Sequence, residues 1–188
     1  TRALAIGSII ALAANLMVVP ANAAPTNTIY PVLGAAYVAT LSGQAQQVAG
    51  RTALPDGAAA MTGDRANALL LLADGSEIAL GASTTVRVSN AAGGGPATVA
   101  LQSGQIRFNI RHAPGQRSNY VITTPRERVA VQGTIGLVSS TREGDAVACL
   151  SCDLDDVVVS TSTQTYKLEK DHQLLIDAGG VVVVGVVV

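Results

Sequence analysis

Two cysteines stand close together in Cys149-Leu150-Ser151-Cys152, a spacing that in a redox enzyme sets a reactive, low-pKa thiol at a helix N-terminus. The flanks argue otherwise. Asp145-Ala146-Val147-Ala148 precedes the pair and Asp153-Leu154-Asp155-Asp156-Val157-Val158-Val159 follows it, which reads as two strands meeting at a turn, with acidic neighbours that raise a thiol pKa. A local structural disulfide between Cys149 and Cys152 is favoured over two free thiols, and both over redox catalysis. Zinc would need two further Cys or His ligands nearby, and His172 alone does not supply them. His112, in Arg111-His112-Ala113-Pro114-Gly115, reads as an exposed loop residue after a strand rather than a ligand. Neither histidine sits in a His-Glu-x-x-His, a Gly-x-Ser-x-Gly or a triad-like setting. Asp153, Asp155 and Asp156 lack the spaced oxygen set of a calcium loop and read as a solvated turn. Gly93-Gly94-Gly95 has no Lys-Ser/Thr after it and no helix to follow, so it reads as a linker and not a phosphate cradle. No catalytic, metal or cofactor site is expected, and the chain is not read as an enzyme. Arg107, Arg111, Arg126 and Arg128 form a locally basic stretch that suits an acidic partner surface or simply keeps an outer β-face wet.

Those residues must be held by a small domain. The chain has 188 residues, with 12 Lys plus Arg against 13 Asp plus Glu and a net charge of -1, which removes the electrostatic case for nucleic acid or an anionic membrane surface. Charged residues are 13%, about half the ~25% of ordinary soluble domains. Hydrophobic residues reach 48% while aromatics are 3%, so the core must be built from Ala, Val, Leu and Ile. That content excludes disorder, and two cysteines exclude a disulfide-scaffolded miniprotein. No small-molecule ligand is expected.

Residues 3–19 are apolar except for Gly7, Ser8 and Asn15, follow Arg2, and lead into Pro20-Ala21-Asn22-Ala23-Ala24. A short apolar run behind a basic residue, ending in small-x-small, is expected to be a secretory signal peptide over 1–23. The rival reading is a retained membrane anchor, for which the run is slightly short. Either places residues 24–188 outside the cytoplasm, in the periplasm or beyond. Thr1 is not a natural start, so residues upstream are expected to be missing.

From there the signals are those of strands. Val, Ile, Thr and Leu in groups of four to eight alternate with Gly, Asp, Asn and Ser. Strands are expected near 33–40, 68–73, 77–80, 85–89, 98–101, 105–110, 120–123, 128–131, 135–139, 146–149, 157–160, 166–168 and 173–176. This spacing predicts an all-β fold, a compact sandwich or solenoid-like domain. Ile106, Phe108 and Ile110 share one strand face and Arg107, Asn109 and Arg111 the other. Asp74-Gly75 predicts a two-residue hairpin, both positions wanting positive φ. Residues 64–73 could form a short helix, but the hairpin and the strand beyond it favour a strand. The uncharged Val-rich run 181–188 is an aggregation hazard as an open edge, so it either pairs into the sheet or the chain is cut before its true end.

Over 60–159 the pattern becomes specific. Met61-Thr62-Gly63-Asp64 leads into an apolar strand, the hairpin Asp74-Gly75-Ser76 and a second strand, an order that resembles the opening of the FecR domain. Leu101 to Ile110, with Gly104 and Phe108, is similar to the family's L-x-x-G-x-x-x-F-x-V. Tyr120-Val121-Ile122-Thr123-Thr124-Pro125, then Val129-Ala130-Val131-Gln132-Gly133-Thr134, resembles its T-P and V-x-V-x-G-T steps. Two departures stand out. The family continues G-T with F-x-V, where this chain has Ile135-Gly136-Leu137-Val138, and a later glycine is lost around Cys149. The resemblance implies that Asp74, Gly75, Ser76, Gly104, Phe108, Pro125, Gly133 and Thr134 hold structure. It divides the chain into 1–23, an N-terminal β segment 24–59, the FecR-like domain 60–159 and a C-terminal β segment 160–188. It further implies an envelope protein that regulates a sigma factor, with the signalling domain of an outer-membrane TonB-dependent transporter as partner. The other reading is a secreted structural or surface β-protein that uses the same domain as a scaffold. Strand addition at a sheet edge is the expected mode of contact.

Overall fold

The computed structural model describes residues 26–187 apart from 42, 91–94, 113–115 and 154; the expected leader or anchor at 1–23 and most of the glycine linker lie outside the described residues. Short β-branched segments punctuated by Gly, Asp and Ser favour strands. Among the described residues the chain forms seventeen strands and no helix. They are β1 Thr28–Leu33, β2 Ala36–Ala39, β3 Gln46–Gln47, β4 Thr52–Ala53, β5 Ala59–Thr62, β6 Asn67–Leu71, β7 Glu77–Leu80 and β8 Thr85–Ser89. Then come β9 Ala97–Asn109, β10 Tyr120–Thr123, β11 Arg128–Val131, β12 Ile135–Ser140, β13 Gly144–Ser151, β14 Val157–Ser160, β15 Thr165–Leu168, β16 His172–Asp177 and β17 Val182–Val186.

The long β9 organises the rest. Its first half pairs with β8 and, in parallel, with β10, while its second half pairs with β7 and β12. It therefore belongs to both layers of a sandwich. Outward from β9, one layer runs β8, β5, β2, β3 on one side and β10, β11, β14, β15 on the other. The second layer runs β7, β6, β1, β4 and, oppositely, β12, β13, β16, β17. After β9 the chain lays down hairpins by turns in the two layers: β10–β11, β12–β13, β14–β15, β16–β17. The sandwich is thus wound in a solenoid-like order, and the all-β expectation holds.

Three local expectations change. The strand expected over 33–40 is broken by Gly34, at φ 67°, into β1 and β2. The strands expected at 98–101 and 105–110 are one strand, because Gly104 at φ 94° bends β9 without ending it. The Asp74-Gly75 loop has three residues, not two: Gly75 N–H donates to Leu72 O at 3.0 Å and Leu72 N–H to Ser76 O at 2.8 Å. Only Gly75 takes positive φ, because Asp74 Oδ1 instead accepts from Ser76 N–H at 2.8 Å.

Both layers contribute to one core. Leu70, Ile78, Ile106 and Phe108 face Val86, Val88, Leu101 and Ile122, all essentially without solvent exposure. Phe108 lies directly across from Gly136, and a Cβ on Gly136 would sit 2.4 Å from the ring's Cζ. The ring of the chain's one phenylalanine covers this glycine. Of the four sheet edges, β3 and β4 are two residues long and β15 carries Lys167. On β17, Val183, Val184 and Val186 are 56%, 52% and 56% exposed and uncharged.

Candidate functional site

The motif residues cluster at the two ends of the sandwich and at the bend of β9. At one end, Ser76 is fully buried; its hydroxyl donates to Asp74 Oδ2 at 3.0 Å and accepts from Arg111 N–H at 3.0 Å. The Asp74-Gly75-Ser76 loop of one layer is therefore tied to the exit of β9. Tyr120, opening β10 in the other layer, reaches the same loop. Burial first, and then the Asp74 carboxylate, raise its hydroxyl pKa.

At the bend, a Cβ on Gly104 would lie 2.4 Å from Thr84 Oγ1 and 2.5 Å from Thr84 Cα. The glycine is needed both for its positive φ and for this close approach. Thr84, fully buried, donates to Gln105 O at 3.1 Å and accepts from Gln105 N–H at 3.0 Å. Thr62 Oγ1 in turn accepts from Thr84 N–H at 3.0 Å and donates to Gly81 O at 2.6 Å. Two threonines thus pair backbone groups that the layer change takes out of the ladder.

At the opposite end from the Asp74 loop, Pro125 sits in the turn between β10 and β11, where its fixed φ and missing N–H cost nothing. Thr124 Oγ1 accepts from Glu127 N–H at 3.0 Å and donates to Asp145 Oδ2 at 2.5 Å. Asp145, on β13 in the other layer, has a fully buried side chain and also accepts from Ser140 Oγ at 2.8 Å and Arg126 Nη1 at 2.7 Å. Arg126 further donates to the carbonyls of Thr141 and Arg142 at 3.1 and 3.4 Å. This corner clamps the layers together. Beside it lies Glu127, 5% exposed, whose two carboxylate oxygens have no hydrogen-bond partner among the described residues. Burial, and then the Asp145 carboxylate, push its pKa up to about 8, with Arg126 pulling the other way. Sequence reading missed this acid, because a glutamate between two arginines looks like surface.

The Gly133-Thr134 step lines a cleft of about 590 Å³. Gly133 takes φ 120°, and a Cβ there would meet His112 at 2.2 Å. Thr134 hydroxyl donates to Ser151 O, holding the end of β13 where the register with β12 shifts. Cys149 and Cys152, with Cα atoms 6.2 Å apart, are joined by a disulfide across that same end. Cys149 is fully buried and Cys152 borders the cleft with Arg111, Asp153, Asp156 and Lys170. The acidic residues serve the turn and an ion pair: Asp156 Oδ2 accepts from Asp153 N–H at 2.8 Å, and Asp155 pairs with Lys167 at 2.7 Å. Among the described residues no cluster of His, Cys, Asp and Glu could hold a metal ion.

The four arginines do not form a patch. Arg111 pairs with Glu77 at 2.7 Å and Arg126 with Asp145. Arg107 lies opposite Ala79 and Leu137 on the outward face of one layer, whereas Arg128 lies opposite Thr123 and Ser160 in the other. What separates them is the chain path: Arg107 is carried by β9 in one layer, Arg128 by β11 in the other, and Arg126 sits in the turn before β11.

The motif glycines, threonines and buried corners thus recur at the places where the two layers are joined. The family model described as "FecR protein" matches residues 58–153. The chain belongs to the FecR family. The FecR match opens just before β5 and closes just after the disulfide. Two crystal structures of a protein from Parabacteroides distasonis ATCC 8503, provisionally assigned as an anti-sigma factor, share the fold with a TM-score of 0.60 at 18% identity. The alignment covers 68% of this chain and 59% of that one. No curated protein matches the chain. Among the described residues no helix is long and apolar enough to cross a membrane.

Proposed function

We propose that the chain is a non-enzymatic, extracytoplasmic interaction domain, periplasmic in location, that relays the state of an envelope protein to a sigma factor. What supports this reading is membership of the FecR family across residues 58–153. The likeness to a protein provisionally assigned as an anti-sigma factor accords with it. The partner in this reading is the signalling domain of a TonB-dependent transporter. It is tested by deleting the gene and profiling transcripts. Promoters served by one extracytoplasmic-function sigma factor should change; an unchanged profile refutes the regulatory role.

A second reading, a secreted structural or surface β-protein, is favoured by β17. That edge has no charge, proline or bulge to discourage pairing with another chain. Sedimentation of the purified chain should then show concentration-dependent association, abolished by Val183→Lys. A monomer at all concentrations refutes it.

A further inference from the structure

The outward face of the layer built on β6, β7, β9 and β12 carries a trough of about 410 Å³. Its floor is the small pair Ala79 and Gly81, on and just beyond β7. One wall is Val32 and Leu69, from β1 and β6; the other is Arg107 and Leu137, from β9 and β12. Strands β6 and β9 flank β7, so the walls stand two strand spacings apart, roughly 9–10 Å. That is the width of an α-helix, about 10 Å across with its side chains.

Backbone accounting separates a helix from an extended peptide. β7 is paired on both sides, with β6 and with β9, so the floor offers no row of free N–H and C=O groups. An added strand draws its affinity from such groups. A helix arrives with its own backbone already paired and needs only an apolar face. The charge pattern adds to this. Arg107 is exposed and makes no hydrogen bond or ion pair among the described residues, whereas nearby Glu77 is taken by Arg111 at 2.7 Å. Val32 is 66% exposed at the lip. An apolar trough with one unpaired guanidinium in its wall complements an apolar stripe flanked by a carboxylate.

We propose that this trough seats an amphipathic helix of a protein partner, its apolar stripe over Ala79 and Gly81 and one of its carboxylates on Arg107. The proposal rests on reading the chain as an interaction domain, and names the face used and the shape of what it holds. The test places a photo-crosslinking benzoyl-phenylalanine at Gln105, on the rim, in the full chain in its native envelope. The adduct is mapped by mass spectrometry. A synthetic peptide of the mapped segment is then titrated against the purified chain. The expected result is an adduct on an acidic, helix-forming segment of another protein, whose peptide gains helicity on binding. Arg107→Glu should weaken that peptide about tenfold, a Glu→Lys peptide should recover binding to that variant, and Arg128→Glu on the other layer should change nothing. An adduct on residues 1–25 of the same chain, on a second copy, on an extended segment or on lipid overturns the proposal, as does no adduct at all. So does a peptide indifferent to Arg107→Glu. If the trough fails these tests while gene deletion still alters transcription, the regulatory reading stands alone. If deletion alters nothing, that reading falls and peptide binding decides the trough by itself.

Discussion

Glu127 makes the stability of this domain fall as pH rises. Its carboxyl is buried beside Asp145, without a hydrogen-bond partner among the described residues, and it keeps its proton up to about pH 8. In the unfolded chain it loses that proton near the ordinary glutamate value of 4.5. Between those two values the folded state binds one proton more than the unfolded state, so raising the pH favours unfolding by about 1.4 kcal/mol per unit. The contribution is fully present below the unfolded value and lost through the folded one. From pH 5 to pH 8 the loss is roughly 4 kcal/mol, a large share of the ~5–15 kcal/mol that stabilises a domain. The assay is urea unfolding at half-unit steps from pH 4.5 to 9 on the wild type and on Glu127→Gln, which keeps the shape and cannot ionise. The difference between the two curves isolates this one group from every other carboxylate. It should be small at pH 5, grow in favour of the variant, and level off above pH 8. Parallel curves would refute the reasoning, because they would mean that Glu127 titrates alike in both states.

Three further outcomes follow from close contacts. Gly136→Ala sets a Cβ 2.4 Å from Phe108 Cζ and 2.6 Å from Ala148 O; chemical denaturation should show an overpacking loss of about 1–3 kcal/mol, much reduced in a Phe108→Ala background. Gly104→Ala meets Thr84 and a positive φ together, and should cost more than Gly75→Ala, whose positive φ comes with open space around it; paired unfolding curves compare them. Reducing the Cys149–Cys152 disulfide should cost only about 2 kcal/mol, since the loop it closes is very short. Thermal unfolding with and without dithiothreitol measures this, and complete unfolding on reduction would contradict it.

The central strands were legible because their alternation is strict. Ile106, Phe108 and Ile110 against Arg107, Asn109 and Arg111 is a period of two that no helix produces. Other features gave no such signal. β3 and β4 are too short to carry a period, and β5 is Ala-Ala-Met-Thr, residues of weak strand preference recruited by burial between neighbours. The continuity of β9 was hidden because Gly104 looks like a breaker, when its role is to let one strand serve two layers. Motif glycines and threonines were found by resemblance, but the partners that explain them, Thr84, His112 and Asp145, lie far off in sequence. The four arginines, close on paper, are divided between the two layers by the strands and turns that carry them, and only Arg111 and Arg126 find acidic partners among the described residues.

The placement of β9 at the centre has a mechanical consequence. Both ends of the described chain lie toward the periphery, and after β9 the strands are added outward, one hairpin per layer in turn. Traction on the C-terminal side therefore meets β17 and β16 as a pair held along a single edge, then β15 and β14 in the opposite layer. Resistance comes in small successive steps rather than as one shearing event. Amide exchange should report the same gradient, slowest in β9 and faster toward each periphery, as in arrays whose units open from their ends. A domain so built can yield its outermost hairpins under load while the doubly shared strand, and the buried threonines at its bend, stay intact.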